Sequence, residues 1–119
     1  MTDRKHVLVV EDEWLLASEI SRRLTKSGYD VIGPVPTVEE AMERIEQRQP
    51  NCAVLDVQLD GGTTLALVPR LVEKHIPFFF LSGHSTRDFP ELVAHTVLSK
   101  PADWNDFFRT LETKLLQKA

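Results

Sequence analysis

The chain has 119 residues and a formal net charge of −4, with 42% hydrophobic and 27% charged residues, enough for one domain with a real hydrophobic core. The acidic balance argues against binding to nucleic acid or to an anionic membrane, because either partner needs a basic patch. A polar N-terminus and the absence of an apolar run of membrane-spanning length predict a cytoplasmic protein.

Short apolar runs recur along the chain, and each has the length of a buried β-strand. The segments between them carry apolar residues at the helical spacing of about 3.6 instead. The strand candidates are, in chain order, Val7–Val10, Val31–Ile32, Ala53–Leu55, Phe78–Leu81 and Val97–Leu98.

Three of the intervening helices are marked clearly. Their apolar faces are Leu16, Ile20 and Leu24 in the first, Val38, Ala41, Met42 and Ile45 in the second, and Trp104, Phe107, Phe108, Leu111 and Leu115 in the last. Gly28 follows the first helix as a C-cap. The stretch from Thr37 to Glu40 is a capping-box sequence, which predicts the start of the second helix.

The third and fourth helices are less regular. Leu65, Val68 and Val72 fit one helical face, but Pro69 lies inside the pattern, so this helix either starts near Pro69 or is kinked there. In the next interval only Pro90–Ala94 has a helical pattern.

Alternating strands and helices with nearly continuous apolar strands predict a parallel sheet covered on both faces. Right-handed connections between the strands then favour a doubly wound sheet. We find no internal linker, repeat or low-complexity tract, so we expect residues 1–119 to form a single domain without a second, output domain.

Polar residues follow four of the five strand candidates. They are Glu11 and Asp12 after the first strand, Asp56 after the third, Ser82 after the fourth and Lys100 after the fifth. Ligands of open α/β sheets bind beyond the carboxyl ends of the strands, so we expect these groups to meet at one edge. Clustered carboxylates repel one another unless a cation intervenes, and a small set of oxygen ligands suits Mg²⁺.

The ammonium of Lys100 and the hydroxyl of Ser82 suit phosphoryl oxygens, so the pattern predicts a site for phosphoryl transfer. A carboxylate near the metal can itself act as the nucleophile and form an aspartyl phosphate. The remaining residues of interest predict no second site. His6, His75 and His95 lack metal-ligand spacing and are expected at the surface, and the single Cys52 is expected to be a packed core thiol.

Four motifs, in this order, resemble those of the response-regulator receiver domain of two-component signalling: VLVVEDE, AVLDVQLDGG, PFFFLSG and LSKP. The resemblance covers essentially the whole chain. It implies a flavodoxin-like (βα)5 fold whose five parallel strands have the order 2-1-3-4-5. It also implies a signalling domain that is not an enzyme, apart from catalysing its own phosphorylation and dephosphorylation.

The resemblance implies a role for each acidic residue. Asp56 would accept the phosphoryl group. Asp12 would ligate Mg²⁺ directly and Glu11 mostly through water. Asp56 and the main-chain carbonyl of Gln58 would complete the protein ligands.

By the same resemblance, Ser82 would hydrogen-bond the phosphoryl group, Lys100 would pair with it, and the peptide bond between Lys100 and Pro101 would be cis. One position departs from the family pattern. Most receivers carry Tyr or Phe three residues before the lysine, whereas this chain has Val97. We therefore expect it to signal through a different surface, within residues 82–95.

The run PFFFLSGH further resembles stand-alone alphaproteobacterial receivers with a Pro-Phe-x-Phe-Ala-Thr-Gly-Tyr motif, in which Leu81, Ser82 and His84 replace Ala, Thr and Tyr. Gln58 and His84 lie two residues beyond Asp56 and Ser82. Two interpretations of this pair stay open. They tune the lifetime of the phosphoryl group by guiding or blocking water, or they are solvated loop residues.

The implied phosphoryl donor is a sensor histidine kinase or a histidine phosphotransfer protein. The implied recipient of the signal is an unidentified protein, or the chain serves as a phosphate sink, and we expect a monomer or weak dimer. Two alternatives remain at this stage. One is a pseudo-receiver that acts as an interaction module without phosphorylation, and the other is a metal-dependent hydrolase or nuclease.

Overall fold

Five parallel strands form the central sheet, with helices on both faces. The computed structural model describes residues 4–83 and 89–117. The strands of the sheet are β1 (His6–Val10), β2 (Asp30–Val35), β3 (Cys52–Asp56), β6 (Phe78–Ser82) and β7 (Val97–Ser99), and a separate hairpin pairs β4 (Gln58–Leu59) with β5 (Gly62–Thr63). The helices are α1 (Trp14–Lys26), α2 (Val38–Gln47), α3 (Val68–Glu73) and α4 (Trp104–Leu116), and 3₁₀ turns span Thr64–Leu67 and Pro90–Ala94.

The strands lie in the order β2-β1-β3-β6-β7, and every neighbouring pair is parallel. With the hairpin strands left aside, this is the predicted order 2-1-3-4-5. The doubly wound α/β fold is therefore confirmed, and all five strand candidates lie within observed strands. None of the helices in the described residues is long and apolar enough to span a bilayer.

Successive side chains of a strand point to opposite faces, so the sheet separates two apolar clusters. Leu8 and Phe80 pack with residues of α2 and α3 on one face. Val9 and Phe79 pack with residues of α1 and α4 on the other. Burial of each large apolar side chain contributes about 1.5–3 kcal/mol, which fixes the sheet and with it the positions of the strand ends.

The predicted capping residues lie after the end of α1 and before the start of α2. Gly28 has a φ of +95° and follows α1, and its N–H donates to the carbonyl of Thr25 at 3.1 Å. At the start of α2, the side chain of Thr37 accepts a hydrogen bond from the N–H of Glu40 at 3.1 Å. Both caps were predicted correctly.

The third helix begins at Val68, with Pro69 in its first turn, so it starts near the proline and has no internal kink. The prediction that Val72 lies on the buried face is wrong, because its side chain is 59% exposed. The 3₁₀ turn before the helix has three residues per turn, which shifts the buried face to Leu67 and Leu71.

The predicted fourth helix is a 3₁₀ turn over Pro90–Ala94. His95, which we expected at the surface, is partly exposed. Its ring packs against Phe78 and Phe80, with centroid separations of 5.4 and 5.6 Å. An aromatic ring therefore covers this part of the sheet although Val97 has none.

Candidate functional site

The carboxyl ends of the strands border an open cleft of about 400 Å³. The residues that line it are Glu11, Asp12, Glu13, Asp56, Gln58, Leu59, Asp60, Gly83 and Lys100. Ser82 lies at the end of β6 and is buried, and its carbonyl accepts a hydrogen bond from the N–H of Lys100 at 2.9 Å. The sheet thus brings together the strand-end groups that the sequence predicted.

Glu11, Asp12 and Asp56 form a carboxylate cluster. Each offers one oxygen, and these oxygens lie within 4.8 Å of one another. Glu11 and Asp56 are buried, whereas Asp12 is partly exposed to the cleft. Several carboxylate oxygens that converge beside open space are the donors that a hard divalent cation takes, so the residues present fit Mg²⁺.

Lys100 directly follows the last strand, and its side chain contacts two carboxylates of the cluster. Its Nζ lies 2.9 Å from Oδ1 of Asp56 and 3.2 Å from Oε1 of Glu11. Burial by itself would lower the pKa of Lys100, but the hydrogen bond and charge of Asp56, with those of Glu11, outweigh it and raise this pKa above its usual value. The ammonium therefore stays charged and holds two carboxylates.

Within the carboxylate cluster, Glu11 has a strongly raised pKa. Burial raises its pKa to about 7, and the negative charge of Asp56 acts in the same direction. The N–H of Glu13, which donates to Oε2 of Glu11 at 3.1 Å, and the charge of Lys100 oppose this rise. Lys100 alone does not compensate the buried negative charge, so a further cation would favour the ionised form of Glu11.

The segment after β3 forms a hairpin that we did not predict from the sequence. The N–H of Asp60, at its tip, donates to Oδ2 of Asp12 at 2.9 Å. At its base, the buried Thr64 donates its hydroxyl hydrogen to the carbonyl of Asp56 at 2.7 Å. The Asp60-Gly61 dipeptide is a known hairpin signal and could have revealed the turn.

Gln58 and His84 are the two residues that we predicted to flank the phosphoacceptor site. Gln58 begins β4 and is exposed at the rim of the cleft. His84 lies outside the described residues, as do the other members of residues 84–88 within the predicted output surface at 82–95. The peptide bond between Lys100 and Pro101 is cis, as predicted.

Comparison with known proteins gives a consistent result. The family model of the response regulator receiver domain matches residues 7–112. The transcriptional regulatory protein PdtaR of Mycobacterium tuberculosis is 27% identical over 113 residues, which cover 91% of this chain and 55% of PdtaR. The sensory transduction protein BceR of Halalkalibacterium halodurans is 32% identical over 108 residues, covering 87% of this chain and 42% of BceR. The chain spans about half the length of the curated relatives it matches.

Solved structures show the same architecture. The solution structure of SdrG from Sphingomonas melonis Fr1 matches with a TM-score of 0.81 and 31% identity, and the match covers 98% of this chain and 99% of SdrG. A CheY-like receiver domain from Methanospirillum hungatei JF-1 matches with a TM-score of 0.85 at 20% identity, covering 98% of this chain and 97% of that one. The second likeness shows the fold alone.

Proposed function

Since the chain belongs to the response regulator receiver domain family of two-component signalling, we propose that it accepts a phosphoryl group from a phosphohistidine onto Asp56. One observation carries the proposal. Asp56 is the buried carboxylate that lies both in the three-carboxylate cluster and within 2.9 Å of the Lys100 ammonium. A nucleophile at this point has positive charge on one side and open cleft on the other.

In the proposed transfer, a carboxylate oxygen of Asp56 attacks the phosphorus atom of the phosphohistidine. A P–O bond forms as the P–N bond breaks, and the imidazole leaves with the electron pair of the broken bond. The ammonium of Lys100 neutralises charge on the phosphoryl oxygens, and Ser82, at the adjacent strand end, donates a hydrogen bond to one of them. Charge neutralisation and positioning are the main requirements of phosphoryl transfer, and these side chains serve both.

Receiver domains typically bind Mg²⁺ through acidic residues. We propose that Glu11, Asp12, Asp56 and the main-chain carbonyl of Gln58 hold the ion here. Mg²⁺ would supply the positive charge that lets an anionic phosphoryl group approach three carboxylates. The need for it follows from the cluster itself, in which Lys100 is the one cation among the described residues that line the cleft.

Receiver domains generally interact with histidine kinases or phosphotransfer proteins, and we propose a donor of that kind for this chain. The phosphorylated form would act by contact with a further protein or would serve as a phosphate sink. Gln58, exposed at the cleft rim, is positioned where it could meet the water that hydrolyses the acyl phosphate. Gln58→Ala would change the dephosphorylation rate under this proposal and leave it unaltered if Gln58 is only a solvated loop residue.

The acceptor role is tested by incubating the protein with acetyl phosphate and Mg²⁺ and measuring its intact mass. We expect an adduct with the mass of one phosphoryl group in the wild-type protein and none in Asp56→Asn. Asp60→Asn is the matched control, because Asp60 is a second carboxylate of the same cleft and should leave the adduct in place. Absence of an adduct in the wild-type protein would favour a phosphorylation-independent interaction module.

A further inference from the structure

Hydrogen bonds connect both the base and the tip of the hairpin β4–β5 to residues of the proposed cation site. At its base, Thr64 Oγ1 donates to the carbonyl of Asp56 at 2.7 Å, and the N–H of Thr64 donates to the carbonyl of Val57 at 2.9 Å. At its tip, the N–H of Asp60 donates to Oδ2 of Asp12 at 2.9 Å. One short hairpin therefore links the main chain of the phosphoacceptor to a carboxylate on a different strand end.

The contact at the base acts on the main chain of the acceptor itself. Thr64 is fully buried, and its hydroxyl donates a hydrogen bond to the carbonyl of Asp56. This bond restricts rotation of the peptide between Asp56 and Val57, and so it sets the direction in which the chain continues to Gln58. The carbonyl of Gln58 is the main-chain oxygen that we have proposed as a ligand.

The contact at the tip acts on the orientation of Asp12. Oδ2 of this carboxylate accepts the N–H of Asp60, and no other hydrogen bond to Asp12 is found within residues 4–83 and 89–117. A half-exposed carboxylate that had no such donor would sample several rotamers. With Oδ2 held by the hairpin, rotation of the Asp12 carboxylate is restricted, and this carboxylate lies in the three-carboxylate cluster.

We propose that this hairpin preorganises the cation site, with Thr64 as a positioning residue at its base and the Asp60 amide as its contact at the tip. This inference rests on the proposed function, because it assumes that the site binds Mg²⁺. A ligand set that is ordered before binding loses less conformational freedom when the ion arrives, and so it binds more tightly. Loss of the Thr64 hydroxyl then weakens Mg²⁺ binding, although every residue that supplies a ligand atom is still present.

A merely structural role for Thr64 makes a different prediction. Removal of a buried hydrogen bond would lower the free energy of unfolding, but the Mg²⁺ affinity of the folded protein would not change. A positioning role, by contrast, predicts different effects on the Mg²⁺ dependence of phosphorylation and on its maximal rate. The Mg²⁺ concentration for half-maximal phosphorylation by acetyl phosphate rises, whereas the rate at saturating Mg²⁺ changes little.

The experiment titrates the folded, unphosphorylated protein with Mg²⁺ alone and follows tryptophan fluorescence, since Trp14 is exposed directly after the cleft residue Glu13. Thr64→Val keeps the shape of the side chain and removes its donor, and we expect it to raise the Kd about fivefold, within the range of one net hydrogen bond. Thr64→Ser restores the hydroxyl and should return the Kd to within about twofold of wild type. Thr63→Val is the matched control, because Thr63 makes no side-chain hydrogen bond in the described residues.

A second pair of variants tests the tip and does not depend on the stability of Thr64→Val. Asp60→Pro removes both the carboxylate and the N–H, whereas Asp60→Ala removes the carboxylate alone. Asp60 does not have a positive φ, so a proline does not require a change in the sign of this angle. We expect the Kd of Asp60→Pro to exceed that of Asp60→Ala several-fold.

Equal Kd values for Thr64→Val and Thr63→Val, or for Asp60→Pro and Asp60→Ala, would overturn the positioning role at the corresponding end of the hairpin. A wild-type protein that binds no Mg²⁺ would overturn the proposed cation site itself and the inference with it. The two failures are distinguishable, because only the second is visible in the wild-type titration.

Discussion

Glu11 shows how a residue next to the buried core can serve a polar site. It directly follows β1, is 3% exposed, and still receives two donors, the N–H of Glu13 and the ammonium of Lys100. Its neighbour in sequence, Asp12, is held by a donor from a separate hairpin instead. Of the three consecutive acids, Glu13 contributes a main-chain amide, and its carboxylate belongs to the exposed start of α1.

The raised pKa of Glu11 predicts a pH dependence of stability in the absence of divalent cations. Burial raises its pKa to about 7 in the folded state against an ordinary value of 4.5, so the folded state binds more protons than the unfolded state between these values. The free energy of unfolding should therefore fall as the pH rises from about 4.5 to 7. Chemical denaturation in EDTA across this range measures the effect.

The control for this prediction is Glu11→Gln, which cannot titrate and should flatten this part of the profile. Mg²⁺ added near pH 7.5 should raise the stability of the wild-type protein, because the proposed cation site exists only in the folded state. The lowered pKa values of Glu19 and Glu46 oppose this trend near pH 4.5, so the difference between the two profiles isolates Glu11. A wild-type profile that does not fall relative to that of Glu11→Gln between about pH 5 and 7 would contradict the burial-driven shift.

At the scale of elements, polar residues directly after apolar runs could be placed correctly from sequence, because parallel strands bring their carboxyl ends to one edge. Asp56 and Lys100 are 44 positions apart in numbering, yet topology alone predicts that they meet. The hairpin contacts could not be predicted in this way. Whether the amide of Asp60 reaches Asp12 depends on the curvature of a short loop, and the packing of His95 on Phe78 depends on where a 3₁₀ turn ends.

Gly33 lies in β2, the strand beside β1, and its backbone leaves no room for a side chain. Its φ is +95°, and a Cβ added there would lie 2.8 Å from the backbone N of Val35 and 3.1 Å from the backbone O of Val9. Neither backbone atom can move without disturbing the sheet, and the carbonyl of Val35 accepts the N–H of Glu11. Gly33→Ala should therefore lower the free energy of unfolding by about 1–3 kcal/mol.

Urea denaturation of Gly33→Ala beside Gly61→Ala checks this prediction. Gly61 has no neighbour within 4 Å of an added Cβ and no positive φ, so its substitution should change stability by less than about 0.5 kcal/mol. Equal stabilities of the two variants would show that the close approach around Gly33 is not a constraint.

The surface beyond the last two strands contains Val97, where most receivers are expected to carry an aromatic residue. Val97 pairs with Phe80 in the sheet, and the ring of His95 packs on Phe80. The element that precedes them is only a short 3₁₀ turn, which leaves Val93 77% exposed. A short turn with few internal hydrogen bonds opens at low free-energy cost, so we expect this surface to respond to phosphorylation.

Hydrogen exchange with beryllofluoride and Mg²⁺, a mimic of the phosphoryl group, tests this surface. We expect changed protection across residues 89–97 in the wild-type protein and none in Asp56→Asn. Unchanged protection across these residues, in a sample shown to bind the mimic, would mean that the signal leaves by another surface.

At the scale of the whole molecule, the fold follows from the apolar pattern, and the proposed function follows from the polar groups at the strand ends. The strand order places Asp56 at the centre of the sheet, between the acids after β1 and the ammonium after β7. Family membership and solved structures establish a receiver domain. The stand-alone arrangement, cytoplasmic location and weak self-association stay predictions, and the curated relatives are about twice as long as this chain.

The most direct test of the proposed function identifies the phosphorylated residue. Protein treated with acetyl phosphate and Mg²⁺ is reduced with borohydride, which delivers hydride to the acyl carbon, releases phosphate and leaves homoserine in place of the phosphorylated aspartate. Cleavage after Arg48 and Arg70 isolates a peptide that contains Asp56 and Asp60, and tandem mass spectrometry distinguishes them. We predict homoserine at position 56 alone. Homoserine at position 60, or an unmodified peptide from protein that carries the phosphoryl mass, would contradict the assignment of Asp56 as the phosphoacceptor.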